Sequence, residues 1–448
     1  MTVIGIRSEK GKAGERRVPL IPQDVAALIR DHNLRFVVES SDTRIHPDGE
    51  YAHAGAEIAE DLSSCDIIVG VKEVPAERLL PKRTYVFFSH TIKGQPYNMP
   101  LLRRVLDTGC NLLDYELMTD EDGQRTIAFG RHAGLAGAVE TLWALGQRLE
   151  WEGITTPLAR VRRPAEYGGL AAAREAIALV GEEIWSDGFP AAATPVVIGV
   201  AGYGLVSSGA QEILDLLPVT ETTAEELPDA VKDTNPNSLV KVVFREEDLV
   251  VRKKGGEPFD LQEYYRHPDR YRSRFEDHAV HLTALINCIY WDARYPRLVT
   301  LDFLRRAWAD GARPNLRVMG DISCDIDGSV ECTVRATDPA NPVYVYDPAT
   351  HTTTDGLEGN GPVVLAVDIL PAEIPADSSR HFSSLLAPLI PGLAGADAEQ
   401  GPDAPGLPGE LRRAFIASRG RLVPPWDERL REALELHGSG AAGATEES

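Results

Sequence analysis

The segment 194–216 constrains this chain more than any other. The apolar run TPVVIGVA leads into Gly202-Tyr203-Gly204, and a helical stretch opens at Leu205-Val206-Ser207. A glycine at the first position permits a tight turn, and one at the second lets the backbone approach a pyrophosphate. A helix N-terminus adds unpaired N–H groups and the positive end of its dipole. The third position of the GxGxxG pattern is Ser207, with Gly209 two residues later. The hydroxyls of Ser207 and Ser208 can donate to phosphate in place of the missing glycine. The pattern predicts a nicotinamide dinucleotide, NAD or NADP, held by Gly202, Gly204, Leu205, Val206 and Ser207, and so an oxidoreductase. Taken alone, it also reads as an ordinary glycine-containing strand-to-helix turn.

The acid that contacts the adenosine ribose in an NAD site stands at the end of the second strand, about 20 residues on. Glu221 lies 19 residues after Gly202, and Thr222 and Thr223 compete for the strand end. The choice between NAD and NADP stays open.

With 448 residues the chain is too long for one ordinary core, and two domains are expected. A formal net charge of −22 argues against nucleic acid and against anionic membranes as partners. No apolar run reaches the roughly 18–20 residues of a membrane span. The N-terminus MTVIGIRSEKGKAGERRVP lacks the apolar core of a signal peptide. The five cysteines have no CxxC spacing, which suggests reduced thiols, a cytoplasmic location and no metal.

Short β-branched runs alternate with helical stretches, which predicts an α/β fold. Strands are expected at 2–7, 35–40, 66–72, 84–90 and 111–116, then at 194–200, 218–223, 238–244, 283–291 and 315–323, with two more beyond 340. A long helix over 132–153 is a candidate bridge between domains. The segment 391–408 reads as a mobile loop, and 409–418 and 427–437 read as helices. The expected architecture is two Rossmann-like doubly wound parallel-sheet domains with a cleft between them.

Ligands of parallel sheets bind beyond the carboxyl ends of the strands. In the first half those ends carry Lys72 with Glu73, His90 and Glu116, and Arg16 and Arg17 follow the first strand. A single such residue is ordinary surface decoration, but three strands in one domain favour a site. Two arginines and a lysine suit a carboxylate substrate. Asp321 closes NLRVMGD and is placed to reach the nicotinamide side. Asn287 either contacts nicotinamide or satisfies loop backbone. Tyr264, Tyr265, Tyr271 and Trp291 read as packing.

At these residues the chain resembles the lysine–2-oxoglutarate reductase domain of saccharopine-making enzymes. More distantly it is similar to lysine-forming saccharopine dehydrogenase and alanine dehydrogenase. The stretches that carry the resemblance include ERRVPLIP (15–22), VGVKEVP (69–75), YVFFSHTIKGQ (85–95), AFGRHAGLAG (128–137), GYGLVSSGAQ (202–211), LINCIYW (285–291) and VDILPAEIPADSSRHF (367–382). They run in family order to about residue 435.

The resemblance implies that L-lysine, 2-oxoglutarate and NAD(P)H form saccharopine, or the reverse. It implies Lys72 and His90 as the acid–base pair, Arg17 as the substrate-carboxylate arginine, and Glu73 and Glu116 as acids that tune the site. It places Gly202, Gly204 and Ser207 on the dinucleotide turn and Asp321 with Ile322 on a cofactor-contacting strand end. It further implies a catalytic domain over 1–131, an NAD(P)-binding domain over 132–335, and a return to the catalytic domain with C-terminal helices over 336–437. The composition of GSGAAGATEES predicts a disordered tail over 438–448. Arg131-His132 departs from the pair expected in animal reductases. The chain also stops where the fused enzymes continue into a glutamate-forming dehydrogenase, so one of the two steps is expected of it. A related opine-forming or amino-acid dehydrogenase, and a non-catalytic NAD(P) or amino-acid sensor, are the competing functions. Self-association into a homo-oligomer is an open expectation.

Overall fold

The structure, a computed structural model, describes residues 2–11, 14–233, 235–255, 258–312 and 314–438. Of the tail expected at 438–448, residues 439–448 lie outside the described residues. The chain divides into two compact units: residues 1–129 with 375–448, and residues 130–374. Among the described residues each unit is built on one eight-stranded sheet.

The first unit begins with β1 (Val3–Ile6), β2 (Arg35–Glu39), β3 (Glu57–Ala59), β4 (Ile67–Val69), β5 (Thr84–Phe87) and β6 (Asn111–Asp114). They are parallel and lie in the order β3-β2-β1-β4-β5-β6. Their Ile-, Val- and Leu-rich runs are buried, as a parallel sheet covered on both faces requires. The helix Pro22–His32 opens with proline at its first position, where the missing N–H is no loss. It ends at Asn33 in the left-handed region (φ 53°), whose N–H bonds the Ile29 carbonyl.

The second unit contains β7 (Val197–Ala201), β8 (Val219–Thr222), β9 (Leu239–Phe244), a ribbon of β10 (Val250–Arg252) with β11 (Tyr271–Ser273), β12 (Ala284–Asn287), β13 (Val318–Asp321), β14 (Val343–Asp347), β15 (Thr352–Asp355) and β16 (Val363–Leu365). The sheet order is β8-β9-β7-β12-β13-β16-β14-β15. It is parallel from β8 to β16, and β14 and β15 join antiparallel. The strand after the glycine turn, β8, is therefore at the sheet edge, and β9 is the neighbour of β7.

The helix Gly130–Trp151 lies wholly in the second unit. It crosses the helix Leu205–Leu214 at two glycines. A Cβ at Gly134 would collide with the Val206 carbonyl oxygen, and one at Gly209 with the Arg131 carbonyl oxygen. Both clashes are with backbone, so side-chain movement cannot relieve them.

Several expectations are corrected. Residues 336–374 belong to the second unit, because β16 pairs with β13 and β14 with β16. The return to the first unit comes at Pro375. The segment 391–408 includes most of a short helix, Ile390–Gly395, and packs Ala404 and Leu407 into the first unit's core. The helix expected over 409–418 stops at Ala414. Phe415–Ser418 then forms β17, antiparallel to β6, and Arg421–Leu422 follows as β18. Burial of Phe415, Ile416 and Ala417 explains the switch, since the sheet edge beside β6 offers them apolar cover. No helix of the described residues is long and apolar enough to cross a membrane.

Candidate active site

In the first unit the chain leaves β1 in one direction to β2 and returns on the other side at β4. This is the switch point at which such sheets form a crevice beyond their carboxyl ends. The strands end at Val69, Phe87 and Asp114, earlier than expected, so Lys72, His90 and Glu116 stand on the connecting segments just past three adjacent strands. Arg7 and Glu9 follow β1 beside them.

Buried ion pairs hold this edge. Arg7 pairs with Glu9, and both side chains are almost fully enclosed. Glu9 accepts the Val71 N–H at 2.7 Å, and Arg7 donates to the Lys72 carbonyl at 3.1 Å. The backbone of Lys72 is thereby fixed from below. Burial pushes the Glu9 carboxyl up, against the lowering effect of Arg7.

Arg17 donates to Glu15 through Nε at 2.8 Å and through Nη2 at 2.5 Å, and its guanidinium lies 4.3 Å from the Phe129 ring centroid. Burial would raise the Glu15 carboxyl, but the charge and hydrogen bonds of Arg17 and the charge of Lys72 hold it below its ordinary value. The Lys72 ammonium and the Arg17–Glu15 pair therefore share one electrostatic neighbourhood.

His90 adopts φ 54°, ψ 9°, a left-handed conformation uncommon for a residue with a side chain. Its ring stacks on Phe88, and Nδ1 is 3.8 Å from Glu116 Oε2. The nearby His90 ring, with the charges of Arg125 and Lys93, holds the Glu116 carboxyl below its ordinary value despite burial. Beneath them, the buried Asp114 accepts the Ser89 N–H at 2.9 Å, the Ser89 hydroxyl, and the Glu116 N–H at 2.8 Å. One carboxylate thus fixes the segments that carry His90 and Glu116. Glu73 is half-buried beside Lys72. Arg7, Glu9, Glu15 and Asp114 were not singled out from sequence. For Arg7, Glu9 and Asp114 the visible signal is an acid or base within three residues of a strand end; Glu15 carries no such signal.

In the second unit β7 runs into Gly202 at φ 95°, where a Cβ would press on Ile289 and the Cys288 carbonyl. At Gly204 nothing lies within 4 Å of an added Cβ, so the turn is open to a bulky group. The helix Leu205–Leu214 starts there, leaving the N–H groups of its first turn without intrahelical acceptors. An open glycine turn against such an N-terminus fits the pyrophosphate of a dinucleotide. Leu205 is exposed and Val206 half-buried at this opening.

Ser207 departs from expectation. It is fully buried and its hydroxyl accepts from Gln211 at 3.0 Å, while the Ser208 hydroxyl donates to the Leu205 carbonyl at 2.8 Å. Both hydroxyls turn back onto their own helix. Gly209 supplies what a third glycine supplies elsewhere, a close approach, here of helix to helix.

Asp321 and Asn287 end adjacent strands and bind each other. Asn287 Nδ2 donates to Asp321 Oδ1 and to Ser329 Oγ, each at 2.8 Å, and Thr333 donates to Asp321 at 2.6 Å. Both residues are buried, so the structure favours the structural reading of Asn287. Burial pushes the Asp321 carboxyl up to about 6, against the lowering effect of the Thr333 and Asn287 hydrogen bonds. Ile322 packs against Gly137, where a Cβ would come within 2.6 Å of it.

Glu221 is also placed differently from expectation. It lies within edge strand β8, is largely exposed, and pairs with Lys241 of β9 at 2.8 Å. It is not past a strand end beside the turn. Arg131 pairs with Glu212 at 2.5 Å. Among the described residues no group of three His, Cys, Asp or Glu side chains is placed to hold a metal ion.

Residues 5–136 match the family described as Alanine dehydrogenase/PNT, N-terminal domain. An L-alanine dehydrogenase of solved structure superposes with a TM-score of 0.60 at 16% identity, covering 97% of this chain and all of that one. A transhydrogenase from Sinorhizobium meliloti gives 0.56 at 16% identity, over 94% of this chain and all of that one. These two likenesses establish the fold. An alpha-aminoadipic semialdehyde synthase of Arabidopsis thaliana is 39% identical over 440 residues, 94% of this chain and 40% of the plant protein. The mitochondrial alpha-aminoadipic semialdehyde synthase of Bos taurus is 36% identical over 97% of this chain and 48% of its own length. The chain spans less than half of each of these two relatives. The saccharopine dehydrogenase (NAD(+), L-lysine-forming) of Neurospora crassa is 30% identical over 87% of this chain and 90% of its own length. On that last identity and coverage, the chain belongs to the L-lysine-forming saccharopine dehydrogenase family.

Proposed function

We propose that this chain is an NAD(P)H-dependent oxidoreductase that condenses L-lysine with 2-oxoglutarate to saccharopine, or runs the reverse reaction. The observation that carries the reading is the placement of Lys72, His90 and Glu116 past three adjacent strands at the switch point of the first unit. The open glycine turn of the second unit supports the cofactor half of it.

The chemistry is the making and reduction of a C=N bond. The ε-amine of lysine has a pKa of about 10.4 and attacks a ketone only when neutral. Lys72, once it has given up its own proton to solvent, takes the proton from that amine in its neutral form. His90 then protonates the carbinolamine hydroxyl, so that water leaves and the protonated imine forms, ready to become the secondary amine on reduction. Arg17, held by Glu15, presents the remaining N–H groups of its fork to a carboxylate of the keto acid. Glu116 orients His90 from the Nδ1 side, and Glu73 moderates the charge beside Lys72. Gly202 and Gly204 would hold the pyrophosphate of a dinucleotide, whose nicotinamide would supply the hydride for the reduction. The first unit is the catalytic unit and the second the cofactor unit. The five free cysteines suit the reducing cytoplasm.

The test follows NADPH and NADH absorbance with 2-oxoglutarate while the amine is varied over lysine, ornithine, arginine and ammonia, and identifies the product by mass. Lysine-dependent oxidation with saccharopine as product is expected. Preference for another amine would replace the reading with an opine-forming or amino-acid dehydrogenase, and no oxidation with any amine would replace it with a sensor.

A further inference from the structure

We infer that Arg245, stacked on Tyr203 beside the glycine turn, reads the 2′-phosphate of NADP(H) and makes this chain selective for NADPH. The inference rests on the dinucleotide reading of the turn and adds the residue that chooses between the two coenzymes.

In a dinucleotide-binding sheet the ribose nearest the adenine is read by the residue that ends the strand beside the first one. An acid there takes the ribose hydroxyls of NAD, and an arginine accommodates the phosphate of NADP. In this chain β8 does not occupy that place. The strand beside β7 is β9, in register from Val197 with Val240 to Ala201 with Phe244. With strands about 4.8 Å apart, the end of β8 is removed by roughly 10 Å. Glu221 is further withdrawn, because it pairs with Lys241 on the strand itself.

The residue at the reading position is therefore the one that follows Phe244, which is Arg245. Three contacts fix it there. The Gly202 N–H donates to the Phe244 carbonyl at 2.9 Å, tying the turn to the end of β9. The Arg245 N–H donates to Asp248 at 2.9 Å, opening the short helix Glu246–Leu249. The Arg245 guanidinium lies 4.7 Å from the centroid of the Tyr203 ring, the residue between the two turn glycines. Stacking uses the face of a guanidinium and leaves its in-plane N–H donors for phosphate oxygens. Arg245 and Tyr203 are both exposed, so the pair is accessible from solvent.

The next residue, Glu246, is the acid that would read an NAD ribose if it held this place. It is engaged elsewhere: Oε1 accepts the Tyr265 hydroxyl at 2.7 Å and the Tyr203 hydroxyl at 3.5 Å. Glu246 thus holds the far end of the tyrosine on which Arg245 rests.

The test is calorimetric binding of 2′,5′-ADP and 5′-ADP, which carry the adenosine end alone, with NADPH and NADH in parallel. Wild type is expected to bind 2′,5′-ADP at least about 10-fold more tightly than 5′-ADP. Arg245→Ala should weaken 2′,5′-ADP and NADPH by about 10-fold or more and leave 5′-ADP and NADH unchanged. Glu246→Gln should keep the preference for the phosphorylated nucleotide. Equal binding of the two nucleotides by wild type, or an unchanged ratio in Arg245→Ala at unchanged melting temperature, would overturn the inference while leaving the dinucleotide site intact. Failure of all four compounds to bind would overturn the dinucleotide reading, and the inference with it.

Discussion

Asp114 shows how much of this site depends on groups that touch no substrate. Its carboxylate collects donors from Ser89 and Glu116, and so sets the segments on either side of His90. Replacing it with alanine strands those buried donors, each worth about 1–3 kcal/mol. Asp114→Ala is expected to lose about 2–4 kcal/mol in urea unfolding and to lower kcat at least several-fold. Asp321 behaves differently. Its pKa is raised in the folded protein, to about 6, from about 3.9 in an unfolded chain. The stability of such a group is fully present below the unfolded value and is lost as pH rises through about 6. The difference of about two units corresponds to roughly 3 kcal/mol at neutral pH. Asp321→Asn is therefore expected to raise the unfolding midpoint at pH 8 and to flatten its change between about pH 4 and about pH 6. An unchanged pH profile in that variant would show that Asp321 is not the group responsible.

The crossing of helices Gly130–Trp151 and Leu205–Leu214 sets the position of the glycine turn, because the second helix begins at it. Gly134→Ala and Gly209→Ala both drive a methyl into backbone, which costs about 1–3 kcal/mol or more. Each is expected to lower the melting temperature and to weaken NADPH binding together. Gly204→Ala meets open space, so it should leave the melting temperature unchanged and weaken NADPH binding alone. Equal effects on stability from all three would contradict this division. Strands such as Val197–Ala201 and Leu239–Phe244 were legible because they are runs of β-branched residues. Their pairing was not, since nothing in a linear pattern says that β9 rather than β8 lies beside β7. That is why Glu221 was read as the ribose partner. The strand at Phe415–Ser418 was hidden for a similar reason, because its apolar residues continue a helical segment and only the sheet edge beside β6 selects the extended form.

At the level of the whole chain, the groups expected to do acid–base chemistry fall in one unit and the glycine turn in the other. The order of motifs along the sequence made that division legible. The late return at Pro375 was not, because β14 to β16 read equally well as strands of either sheet. In the first unit, Lys72 carries the proposal, since its backbone is held by Arg7 and Glu9 and its charge acts on Glu15. The decisive measurement is the steady-state rate of NADPH oxidation by Lys72→Met with lysine and 2-oxoglutarate, taken together with its NADPH dissociation constant. Turnover reduced by several orders of magnitude with NADPH affinity unchanged is the predicted result, and wild-type turnover in that variant would contradict it.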